Sequence, residues 1–169
     1  MAEDVKKQLL RYLNDAHAAE VGGISSLKDI AAEATDADVR TAITEHIAVS
    51  QSQADRLEAR IHALGGDKAA GKSLVNSIIG KGSDLLNMFH DKEDKQTQDL
   101  IKAYSLEHFE IGFYTSLKAF SDAIGDHETA QLADTIMGEE QLAAERLLRL
   151  IPQVAKLAVP QGAATSSNI

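Results

Sequence analysis

The sequence predicts an all-α protein built as one bundle of four long helices. Apolar residues recur at the three- and four-residue spacing of a helix through four long segments. The chain of 169 residues contains only two prolines and is rich in alanine, leucine, glutamate, lysine and glutamine, a composition that favours helices. Residues 1–158 are expected to form this single domain, and the small, polar residues 159–169 a flexible tail.

The first two segments predict a pair of antiparallel helices. The first helix is expected from about Glu3 to Ala34, running through Gly22-Gly23. Thr35 or Asp36 would cap the second helix, which Gly65-Gly66 would end. Because the connection between them is short, the two helices must be antiparallel neighbours.

Roughly thirty residues separate the second helix from the third, which is too long for a tight turn. They include a short amphipathic piece at about Ser73 to Phe89. Helices of about 28 residues are about 40 Å long, so this segment can run back along the bundle. The third helix, about Asp94 to Ile124, would then start at the end where the second started. One long, partly helical crossover of this kind is typical of ferritin-like bundles.

The fourth helix completes the bundle. Gly125 is expected to stop the third helix and Asp126 to cap the fourth. Pro152 is expected to kink the last turn of this helix and not to end it.

Polar residues occupy positions on the apolar stripes of all four helices. Glu20 lies on the stripe of the first helix, where an ionised carboxylate is costly unless something compensates it. On the fourth helix, Glu140 shares a stripe with Ile136, Ala143 and Leu147, so Glu140 is predicted to point inward and Glu139 toward solvent. The candidate inward-facing residues are His17, Glu20, His46, Gln53, Glu107, Glu110 and Glu140.

Buried like charges at this density require protons or cations. Two divalent ions would compensate about four carboxylates, and carboxylates with histidine suit iron or manganese, with zinc also possible. Two arrangements without a metal stay open. The acids could form ion pairs with Arg11, Arg40 or Arg56, or His46 could be a core histidine that is hydrogen-bonded to a carboxylate. Tyr104 and Tyr114 lie near the proposed site, where they could accept radicals or bond to a carboxylate, but core packing is the favoured expectation.

Four stretches of this chain resemble the YciE/YciF family of ferritin-like proteins, over about Leu9 to Leu150. They are YLNDAHAAE (Tyr12 to Glu20), EHIAVSQSQADRLE (Glu45 to Glu58), YSLEHFEIGFY (Tyr104 to Tyr114) and GDHETAQLADTIMGEEQLAAERL (Gly125 to Leu147). The resemblance implies a ferritin-like bundle, a homodimer, an association with bacterial stress responses, and a dimetal centre similar to those of rubrerythrin and bacterioferritin.

The resemblance also assigns residues, position by position. Four acids match acidic positions of the family, namely Glu20, Glu107, Glu110 and Glu140. His46 matches a family histidine. His17 and Gln53 are additional candidates. The chain departs from the usual ferritin-like pattern because neither the second nor the fourth helix contains Glu-x-x-His. Val49 stands where relatives often have an acid, and Ala143 where a histidine ligand would stand.

The leading functional hypothesis is a dimetal-carboxylate protein that binds iron or manganese and reacts with oxygen or peroxide. In it, Glu20 and Glu107 would bridge the two ions, and His46, Glu110 and Glu140 would be terminal ligands. Two alternatives remain: a metal-free structural or stress-associated bundle, and a subunit of an iron-storage or DNA-protecting cage.

Composition excludes several other classes. The chain has no cysteine, which removes disulfides, thiolate metal sites and thiol catalysis. A formal net charge of −9 argues against nucleic-acid binding, and no segment approaches the ~20 apolar residues of a membrane span. A cytoplasmic location is the expectation that fits these features.

Overall fold

The computed structural model describes residues 2–67 and 94–159, which form four long helices and contain no strand. We label the helices α1 (Glu3–Glu33), α2 (Ala37–Ala63), α3 (Lys95–Ala123) and α4 (His127–Leu157). Helix α1 continues through both glycines, and α4 continues past Pro152, as predicted. None of the described helices is long and apolar enough to cross a membrane.

Two predicted features lie outside the described residues. One is the amphipathic piece at about Ser73 to Phe89, and the other is residues 160–169 of the predicted tail.

The helix ends follow the predicted signals. The Asp36 carboxylate accepts hydrogen bonds from the backbone N–H groups of Asp38 and Val39, at 2.9 and 3.0 Å. Asp126 accepts the backbone N–H of Thr129 in the same way. Gly65 and Gly125 follow α2 and α3 with φ of +71° and +77°, a left-handed conformation that glycine adopts without steric cost.

All neighbouring helices in the bundle are antiparallel. Helix α1 packs mainly against α2, and α3 against α4, while α1 also contacts α3 and α2 contacts α4. The start of α3 lies beside the end of α1, where Lys95 pairs with Glu33 and Gln96 accepts a hydrogen bond from Thr35. Helix α3 therefore begins at the end of the bundle at which α2 began, as predicted.

Two apolar clusters fill the bundle on either side of a polar layer. One contains Leu13, Leu57, Leu117 and Ile136, and the other contains Leu27, Ile43, Leu100 and Leu147. Beside the polar layer, Gly23 brings α1 close to α3, because a Cβ at this position would lie 3.2 Å from Leu106 Cδ2. The register of all four helices is thus fixed by apolar packing above and below the layer.

Asp126 is expected to stabilise the fold more than an ordinary helix cap does. Its buried carboxylate caps α4 and also accepts hydrogen bonds from Thr129 Oγ1 at 2.9 Å and Arg60 Nη2 at 2.6 Å. Asp126→Ala should lower the free energy of unfolding by about 2–3 kcal/mol in urea titrations, whereas Asp36→Ala should cost about 1 kcal/mol. Equal losses for the two variants would contradict this role of the Arg60 contact.

Candidate metal centre

Four carboxyl groups and one imidazole meet in the polar layer. Each of the four helices contributes to the group, which consists of Glu20 from α1, His46 from α2, Glu107 and Glu110 from α3, and Glu140 from α4. All five side chains are buried, and His46 is the most exposed of them at 8%. The structure therefore brings together five of the seven residues that the sequence singled out.

The first group of possible ligands is His46, Glu107 and Glu140. His46 Nε2 lies 3.0 Å from Glu107 Oε2 and 3.7 Å from Glu140 Oε2. One ligand atom from each residue lies within 4.8 Å of the other two. This spacing leaves room for one cation between an imidazole nitrogen and two carboxylate oxygens.

The second group is Glu20, Glu110 and Glu140, with ligand atoms that again lie within 4.8 Å of one another. Glu140 therefore belongs to both groups. Tyr114 is fully buried and donates a hydrogen bond from its hydroxyl to Glu20 Oε1. The prediction that Tyr114 packs in the core is correct, but its hydrogen bond also fixes one carboxylate of the layer.

Several carboxylate oxygens of the layer are buried without a hydrogen-bond donor. They are both oxygens of Glu107, Oε1 of Glu110 and Oε2 of Glu140. The 3.0 Å approach of His46 to Glu107 is close but is not aligned as a hydrogen bond. Because buried acceptors are normally paired, these oxygens indicate a missing partner, such as a cation or a proton.

No arginine or lysine in the described part of the chain forms an ion pair with these four glutamates. Arg40 donates to the Ala34 carbonyl oxygen at 2.5 Å, and Arg56 pairs with Glu139 at 2.5 Å. The buried ion pairs that the sequence left open are therefore absent from the described residues.

Burial strongly perturbs the acid–base behaviour of the layer. Desolvation, together with the charges of neighbouring glutamates, raises the pKa of Glu20 to about 8, that of Glu107 to about 7 and that of Glu140 to about 9. The pKa of Glu110 is raised well above its usual value for the same reasons. Desolvation lowers the pKa of His46, which favours the neutral imidazole that a metal requires. Without cations, protons must compensate the carboxylates at neutral pH.

Gln53 lies beside the layer but presents its amide nitrogen to it. Nε2 donates to Glu140 Oε1 and, at 3.0 Å, to Glu139 Oε2. In this orientation Gln53 positions the Glu140 carboxylate. Its amide nitrogen, and not its oxygen, faces the candidate metal site. Glu139 is only half-exposed and joins Gln53 to Arg56, which a purely solvent-facing residue would not do.

His17, the seventh candidate, is in neither ligand group. Its Nε2 lies 3.8 Å from Glu58 Oε2 on α2. The sequence placed His17 on the edge of the stripe, one turn before Glu20, and this edge faces α2 and not the polar layer. Tyr104 is half-buried and packs against His108.

Comparison with known proteins assigns the chain to a family. Residues 4–159 match the family described as a domain of unknown function, DUF892. The chain belongs to this family. The match covers the whole bundle, including all five residues of the polar layer.

Solved structures of other ferritin-like proteins have the same fold. The E. coli stress protein YciF is 16% identical, with a TM-score of 0.76 over 92% of this chain and 99% of that one. A ferritin-like, diiron-carboxylate protein from Bacillus anthracis is 21% identical, with a TM-score of 0.70 over 89% and 99%. A dodecameric thioferritin from Bacteroides fragilis is 22% identical, with a TM-score of 0.70 over 90% and 89%. At these identities the likeness shows the fold, and it confirms the resemblance to YciF-like proteins.

The raised pKa values predict how the stability of the metal-free protein depends on pH. Unfolded glutamates lose their protons near pH 4.5, whereas these glutamates keep theirs to about pH 7–9 in the folded chain. The folded state thus binds more protons than the unfolded state between about pH 4.5 and about pH 9, so the free energy of unfolding should fall as pH rises through this range, most steeply between about pH 5 and about pH 7. Denaturant titrations in the presence of a chelator measure this slope.

Two matched variants control for other titrating groups. Glu110→Gln removes one of the buried acids and should make the slope clearly shallower. Glu145→Gln changes an exposed acid of α4 and should leave the slope unchanged. A pH-independent stability in the wild type would show that the four carboxyls titrate normally.

Proposed function

We propose that this protein binds two divalent metal ions, iron or manganese, in the polar layer of its bundle. The observation that carries the proposal is the pair of ligand groups that share Glu140, together with buried carboxylate oxygens that no protein donor satisfies. Four carboxylates would balance the charge of two divalent ions. Oxygen ligands with a single imidazole suit iron and manganese better than softer metals.

Glu140 would contribute to both metal positions, because it alone lies in both groups. His46 and Glu107 would complete one position, and Glu20 and Glu110 the other. This arrangement differs from the sequence-based hypothesis, in which Glu20 and Glu107 bridge and Glu140 is terminal.

Iron or manganese bound here would supply the electrons for a reaction with oxygen or peroxide. The chain's own residues prepare the site for such ions. Tyr114 holds Glu20 and Gln53 holds Glu140, so two carboxylates are oriented before a metal arrives. The apolar clusters above and below exclude water along the bundle axis. Because burial raises the pKa values of these acids to about 7–9, metal binding at neutral pH would release protons from their carboxyl groups.

A metal-free bundle is the second candidate. Gln53 donates to Glu140, and Glu107 and Glu140 lie close enough to share a proton, so part of the layer is satisfied without a cation. The unpartnered Oε1 of Glu110 weighs against this candidate. Metal content distinguishes the two.

The shared position of Glu140 predicts a specific pattern of metal loss. Wild-type protein loaded with manganese or iron should contain about two ions per chain by mass spectrometry, and saturating metal should stabilise it by about 4 kcal/mol for each occupied site at a thousandfold excess over Kd. Glu140→Gln should abolish both effects, whereas His46→Ala should lose about one ion. Glu145→Gln is the control and should bind like wild type. Wild-type protein that stays empty after loading would refute the metal centre.

We also propose that the protein assembles as a homodimer, has a stress-associated role and is located in the cytoplasm. These three points rest on the sequence and on the family resemblance. Light scattering after size exclusion should give about twice the monomer mass of 18.2 kDa. A particle of many subunits would favour the cage alternative. A monomer would contradict both forms of assembly.

A further inference from the structure

A cavity of about 200 Å³ opens between α2 and α4, next to the polar layer. His46 forms part of its wall, and the remaining lining combines apolar side chains with Glu45, Glu139 and Arg146. The apolar lining residues are Ala42, Val49, Leu142, Ala143 and Leu147. The cavity has room for several water molecules beside the one imidazole of the proposed centre.

Among the described residues, two other approaches to the polar layer are obstructed. Along the bundle axis, an ion would have to cross one of the two apolar clusters, at a prohibitive cost in desolvation. On the α1–α3 side, Gly23 lies close to Leu106 and Glu110. In contrast, α2 and α4 form the loosest of the four helix contacts among the described residues. His46, which faces this seam, is the most exposed residue of the layer.

Carboxylates lead from the cavity toward the centre. Glu139 lines the cavity with 32% of its side chain exposed, and Gln53 connects it by hydrogen bonds to Glu140. Glu45, at the mouth, pairs with Arg146. A cation that replaces Arg56 on Glu139 would find its next ligands, His46 and Glu140, directly inside.

We propose that divalent cations enter the centre sideways through this α2–α4 cavity, first contacting Glu139 and then His46. The proposal rests on the proposed metal centre and adds the route by which the centre is loaded. The small side chains of Val49 and Ala143 keep the route open. Loading rate and final occupancy are then separate quantities, and the cavity controls only the first.

A bulky residue in the cavity wall tests the route. Val49 is 37% exposed, so Val49→Trp should fold while obstructing the cavity. The matched control is Val21→Trp, because Val21 is also an exposed valine on a helix, 49% accessible, but lies on α1 away from the cavity. Co²⁺ is the probe, with uptake followed by stopped-flow absorbance and final content by mass spectrometry. Val49→Trp should load roughly tenfold more slowly with unchanged final occupancy, and Val21→Trp should load like wild type.

The rim carboxylate provides a second test. Glu139→Gln keeps the shape of the side chain but removes its charge, and should slow loading severalfold at low salt and less at high salt. Glu128→Gln is the control, since Glu128 is an α4 glutamate that pairs with Arg60 of α2 at the end of the bundle.

The outcomes separate the route from the centre. Wild-type protein that takes up no Co²⁺ or Mn²⁺ would overturn the metal centre, and the route with it. Wild-type protein that loads, with Val49→Trp loading equally fast, would overturn the route alone. Should Val49→Trp fail to fold by circular dichroism, Ala143→Leu in the opposite wall replaces it and is held to the same expectation.

Discussion

Repulsion among four glutamates buried in one layer is the constraint on which the rest of this structure depends. Glu20, Glu107, Glu110 and Glu140 come from three helices and are held together by apolar packing on both sides of the layer. Sliding one helix by a turn would bury its acid in an apolar cluster, where neither its neighbours nor a shared cation could compensate it. The layer therefore couples the register of the helices to the chemistry of the site.

Protons and cations compensate the layer in different ways. Protons can occupy the carboxyls of Glu20, Glu107 and Glu140 because burial has moved their pKa values to about 8, 7 and 9. A shift of one pKa unit corresponds to about 1.4 kcal/mol of folding free energy. The free energy of unfolding of a typical domain is only about 5–15 kcal/mol, so shifts of several pKa units are large on this scale. Metal ions must displace these protons, so folding stability, pH and metal affinity are linked through the same four side chains.

Helical periodicity predicted the fold and most of the layer, because it identifies which residues share a face. It distinguished Glu140 from Glu139 correctly, and the capping residues Asp36 and Asp126 were recognisable from their side chains. Periodicity does not fix how far each helix is rotated about its axis toward each neighbour. His17, one turn from Glu20, consequently faces Glu58. Nor does it specify which end of the Gln53 amide meets Glu140, or that Glu140 lies in both ligand groups.

The same two residues account for the incomplete ligand set and for part of the α2–α4 cavity wall. Val49 and Ala143, where the family resemblance predicts an acid and a histidine ligand, both line the cavity and offer no polar atom to a metal. Small apolar side chains at these positions remove donors and leave open space on the same side of the site. Metal bound as proposed would therefore be least enclosed by protein on the side that faces His46 and the cavity, and that is the side on which a small exogenous molecule could reach it.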